Sequence, residues 1–65
     1  MTPKSVRAAI RYTLADGAKT GDESFKMISW WTRETIDEAF YEMTVGGELV
    51  VVRRGKDGER AYAIR

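Results

Sequence analysis

The chain changes its hydrophobic period at Gly46-Gly47, and that change restricts the fold more than any other feature. Before the pair, apolar residues recur every three or four positions, the spacing of one helical face. After it, β-branched and aromatic residues flank a Gly55-Lys56-Asp57-Gly58 turn signal, the pattern of an antiparallel hairpin. The chain has only 65 residues, and a chain this short buries about 60% of its unfolded surface, so helices and hairpin are expected to share one core in a single domain, 1–65. The chain contains no cysteine and no histidine. Disulfides and the usual zinc sites are therefore excluded, and apolar packing must hold the fold.

Three helices are predicted, at about 3–16, 22–31 and 33–45, followed by a hairpin at about 48–65, an α+β fold. The first is expected to open at Thr2 with Pro3 in its first turn, and to turn Val6, Ala9, Ile10, Thr13 and Leu14 inward. Gly17 is placed to end it. The sequence Thr20-Gly21-Asp22-Glu23 has the form of a capping box opening the second helix, although Asp22 or Ser24 is also able to cap. Phe25 and Ile28 share an inward face. Trp30 and Trp31 are adjacent, so one indole is expected inside and the other outside.

The third helix, capped by Thr32, carries Ile36, Ala39, Phe40 and Met43 at inward positions, with Glu34, Asp37, Glu38 and Tyr41 outward and Glu42 to one side. In the hairpin, alternation places Leu49, Val51, Tyr62 and Ile64 on the face that meets the helices, whether the loop is Asp57-Gly58 or all four residues. Ala18 to Thr20 is the only segment available for a short extra strand between the first two helices.

The formal net charge of +1 hides a segregation. Residues 1–31 carry five Lys/Arg against three Asp/Glu, residues 32–47 one against four, and residues 48–65 five against three, or +2, −3 and +2. Lys4, Arg7 and Arg11 line one edge of the first helix, and Arg53, Arg54, Lys56 and Arg60 surround the hairpin tip. Either set is a solvated flank in the plain reading and a phosphate-contacting edge in the functional one.

The run TRETIDEAFYEM from Thr32 to Met43 resembles the second motif helix of the winged helix-turn-helix superfamily. GELVVVRR from Gly47 to Arg54 is similar to that superfamily's passage into the wing, and GKDGERAYAI from Gly55 to Ile64 to the wing tip and return strand. The resemblance covers nearly the whole chain and implies a winged helix-turn-helix with a C-terminal β-hairpin wing. It further implies a small bacterial or phage-type transcriptional regulator bound to double-stranded DNA. Arg33, Glu34, Asp37, Glu38 and Tyr41 would then face base edges, while Arg53, Arg54, Lys56 and Arg60 reach phosphates, with Lys4, Arg7 and Arg11 supporting them. A homodimer would double the phosphate contacts.

The acidic third helix opposes this expectation, because duplex affinity comes mainly from Lys and Arg displacing counterions. The alternative is a protein-interaction module in which Glu34, Asp37, Glu38 and Tyr41, with Trp30, dock on a basic partner. Enzymatic activity is not expected: no histidine, cysteine or glycine-rich phosphate loop is present, and no cofactor or metal is implied. The Glu34/Glu38 and Glu38/Glu42 pairs are read as solvated helix surface. No segment approaches the roughly 18 apolar residues of a membrane span, and a cytoplasmic location is expected.

Overall fold

Thr20, Thr32 and Gly47 stand at helix ends, where each helps to satisfy or redirect the backbone groups that a terminus leaves open. The computed structural model describes residues 4–65. In chain order these form α1 (Lys4–Leu14), α2 (Gly21–Met27), α3 (Arg33–Val45), β1 (Leu49–Arg54) and β2 (Glu59–Ile64), an α+β fold of three helices followed by an antiparallel hairpin. The expected cap at Thr2 and Pro3 lies outside the described residues, as does the side chain of Lys4. Among the described residues no helix is long and apolar enough to cross a membrane.

The cap of α2 is the Thr20 hydroxyl, which accepts from the Glu23 backbone N–H at 3.1 Å, while the Glu23 carboxylate accepts from the Thr20 N–H at 2.9 Å. Ser24 is not a cap. It is fully buried, and its hydroxyl lies 2.9 Å from that of Thr13, which itself donates to the Ile10 carbonyl at 2.7 Å. Thr32 caps α3 by accepting from the Thr35 N–H. At the far end Glu48 donates to the Met43 carbonyl and Gly47 to that of Thr44, a pattern that closes a helix when the residue after the cap is left-handed. Gly47 meets this need with φ +82°, whereas Gly46 stays right-handed.

The core joins Val6, Ile10 and Leu14 of α1, Ile28 after α2, Ile36, Ala39, Phe40 and Met43 of α3, and Leu49 of β1. Fully burying an aliphatic or aromatic side chain contributes about 1.5–3 kcal/mol, so these positions dominate the stability. The second helix ends earlier than its periodicity suggests. It stops at Met27, Ile28 takes the cap position, and Trp30 and Trp31 lie in the turn before α3. Trp31 packs partly against the core, whereas Trp30 is 72% exposed.

The hairpin loop uses all four residues, Gly55 to Gly58, since Arg54 pairs with Glu59. Its packing departs from simple alternation. Leu49 is buried and Tyr62 stacks on Phe40 with ring centroids 4.4 Å apart, but Val51 and Ile64, on the same face, are exposed, and Ala61 on the opposite face is fully buried. Leu49 and Tyr62 are diagonal neighbours in the register; a twisted two-stranded ribbon presses one diagonal onto the helices and lifts the other. The α1–α2 connection runs along the free edge of β2. There Lys19 and Tyr62 exchange backbone hydrogen bonds of 3.0 and 2.8 Å, which puts β2 between β1 and a one-residue strand, within the segment 18–20, the only one available for it.

Candidate functional site

The hairpin tip carries two different charge environments on its two faces, and the register explains both. Because the N–H and C=O of Tyr62 point to Lys19, Tyr62 and Val51 face each other as a pair without mutual hydrogen bonds. Two positions further out, Arg53 and Arg60 face each other in the same way. Such pairs bring Cα atoms to about 4.5 Å, and like charges directly opposite destabilise a hairpin. Neither arginine has a carboxylate partner among the described residues: Arg53 donates to the Gly58 carbonyl at 3.3 Å, and the Arg60 guanidinium lies over the Tyr62 ring, 5.5 Å from its centroid. Lys56 and Asp57 are exposed in the turn beyond them.

On the other face Arg54 is neutralised. It pairs with Glu59 directly across the hairpin at 2.9 Å, with Glu23 of α2 at 2.7 Å, and donates to the Ala18 carbonyl at 2.9 Å. The Arg54 guanidinium, with help from the Thr20 N–H, lowers the Glu23 carboxyl to about 2, and the two glutamates raise Arg54 in return. Of the four wing cations expected to reach phosphate, Arg54 is thus the one that fastens the hairpin to α2. Glu23 is the partner sequence reasoning missed, because the capping box already accounted for it.

The edge of α1 is likewise engaged. Arg7 lies 3.6 Å from Glu42 of α3, and Arg11 pairs with Glu48 in the turn before β1. Arg33, expected at a base edge, instead pairs with Asp22 and, at 2.9 Å, with Asp37; its guanidinium also lies 5.7 Å from the Phe25 ring centroid. Both aspartates raise its pKa. Lys19 pairs with Asp16 at 2.7 Å and lowers that carboxyl. These pairs consume most of the charge that the segregation along the chain displayed.

What remains on α3 is a narrow stripe. Glu34, Glu38, Tyr41 and Val45 recur at helical spacing on the side opposite Ile36, Ala39, Phe40 and Met43, and all four are exposed, Tyr41 and Val45 at 70% each. No ion pair to Glu34 or Glu38 exists among the described residues. The helix expected to read bases therefore presents two free carboxylates, a phenol and a valine. An open cleft of about 360 Å³ separates it from the hairpin, lined by Asp22, Arg33, Asp37, Phe40, Arg60 and Tyr62 among others. Its guanidinium and carboxylate groups largely satisfy one another. No protein-family model, curated protein or solved structure matches this chain.

Proposed function

We propose that this chain is a small winged-helix transcriptional regulator that binds duplex DNA, without enzymatic chemistry, through the tip of its wing. The element order and the closing bridge at Lys19 are compatible with that layout. The observation that carries the reading is the Arg53/Arg60 pair. Two arginines at directly paired positions, with no carboxylate partner among the described residues, work against the hairpin's own stability. A polyanion running past the tip removes that repulsion and uses both charges at once, with Lys56 adding a third.

The carboxylates of α3 argue against its lying deep in a major groove. A single acid is able to accept a hydrogen bond from cytosine's amino group, but Glu34 and Glu38 together would repel the phosphates on either side. The wing therefore leads and α3 stands off. Arg7, Arg11, Arg33 and Arg54 are not counted as phosphate ligands, since drawing any of them away leaves its carboxylate facing the DNA.

Each phosphate neutralised contributes about −0.9 to the slope of log K against log salt concentration, so three wing cations predict a slope of about −3. Fluorescence anisotropy of a labelled duplex across a salt series measures it. The Arg53→Ala/Arg60→Ala variant should bind more weakly and flatten the slope to about −1. Arg7→Ala should leave the slope unchanged. Absence of duplex binding at low salt, or an unchanged slope in the double variant, rejects the proposal.

A further inference from the structure

Among the described residues, Arg53 and Arg60 on the hairpin and Glu34 and Glu38 on α3 make no ion pair, and the two sets have opposite signs. Arg60 of the hairpin and Arg33 and Asp37 of α3 line the same cleft; Glu34 and Glu38 each follow one of those two residues, about 100° further around the helix, so the exposed stripe begins next to the α3 wall of that cleft, outside it. On one side stand Arg53 and Arg60. On the other stand Glu34 and Glu38, followed along the same stripe by Tyr41 and Val45.

We propose that this face is self-complementary: a second copy of the chain docks on it about a two-fold axis, each copy's Arg53 and Arg60 meeting the other's Glu34 and Glu38. A two-fold arrangement uses the same patch on both copies, makes each contact twice and closes on itself. It relieves the arginine–arginine repulsion of both hairpins and the glutamate–glutamate repulsion of both helices. Exposed ion pairs are weak and screened by salt, so Tyr41 and Val45 supply the apolar area that the contact needs. The protein partner that the acidic third helix suits is, on this argument, another molecule of the same protein.

The dimer covers the wing arginines assigned above to phosphate. Duplex DNA and the second copy then compete for them, and the free chain is held in a form that DNA must open. Only this competition rests on the DNA-binding reading; the dimer does not.

Sedimentation velocity on the full chain tests the dimer. At low salt and rising concentration the mass should approach twice the 7.4 kDa of the chain, and it should return to one chain at high salt. Glu34→Lys/Glu38→Lys alone and Arg53→Glu/Arg60→Glu alone should each remain monomeric, because each places like charges across both halves of the contact. An equimolar mixture of the two variants should dimerise, since every half-contact regains opposite signs. Circular dichroism verifies that both variants are folded, and the mixture is itself a control, as misfolded chains would not restore the contact. A wild-type chain that stays monomeric at low salt, variants that dimerise as the wild type does, or a mixture that fails to associate overturns the proposal. A dimer that excess duplex leaves intact rejects the competition and counts against wing-led DNA binding, while the dimer stands.

Discussion

Thr13 and Ser24 form the polar contact most deeply buried between α1 and α2, and their hydroxyls have an order that makes the consequences of removing them unequal. The Thr13 hydroxyl donates to the Ile10 carbonyl at 2.7 Å, so its proton is committed. The proton shared across the 2.9 Å contact must therefore come from Ser24, with Thr13 accepting. Thr13→Val keeps the side-chain shape but strands the Ser24 hydroxyl, which is fully buried. Leaving a buried polar group unsatisfied costs about 1–3 kcal/mol. Ser24→Ala removes the donor and leaves Thr13 bonded to Ile10, a loss of about 0.5–1.5 kcal/mol for one neutral hydrogen bond. In the double variant no polar group is stranded, so its cost should fall below that of Thr13→Val alone. A domain of this length is expected to be stable by only about 3–10 kcal/mol, which makes the differences measurable. Urea unfolding followed by far-ultraviolet circular dichroism gives the three values, provided that the slope of free energy with denaturant is unchanged and only the midpoint moves. Additive single costs in the double variant, or a Ser24→Ala cost larger than that of Thr13→Val, would refute the assignment of the donor and the reasoning built on it.

Three further outcomes are expected. Glu23 is lowered from 4.5 to about 2 in the folded chain, so its contribution is complete above its unfolded value and disappears as the pH falls from 4.5 toward 2; the melting-temperature gap between wild type and Glu23→Gln should close over that window, and a gap independent of pH would remove the Arg54 clasp from the account. Gly47→Ala forces a side chain into φ +82° and brings a Cβ to 3.3 Å from the Arg65 guanidinium, and should destabilise the fold by about 1–2 kcal/mol; an unchanged urea midpoint would mean that the turn after α3 relaxes to a right-handed conformation. Trp30 should be quenched readily by iodide and Trp31 poorly, as single-tryptophan variants made by Trp31→Phe and Trp30→Phe would report; equal quenching would contradict the packing of Trp31 on the core.

The sequence by itself determined the features whose causes lie within a few residues. Helical spacing chose the inward faces of α1 and α3, the Thr20/Glu23 box and Thr32 set where α2 and α3 begin, and Gly47 and the Gly55 to Gly58 turn set where α3 stops and the hairpin reverses, because propensity, capping and turn chemistry act over a single turn of chain. Tertiary structure decided which charges remain available. Arg7 meets Glu42, Arg11 meets Glu48 and Arg54 meets Glu23 across more than thirty positions of sequence, and no local rule anticipates such meetings. The same holds for the hairpin, where alternation correctly grouped Leu49, Val51, Tyr62 and Ile64, but the twist of the ribbon over Phe40 buried Leu49, half-buried Tyr62 and left Val51 and Ile64 exposed. Charge along the chain is a sum over neighbours in sequence; charge on the surface is what survives after the elements have packed.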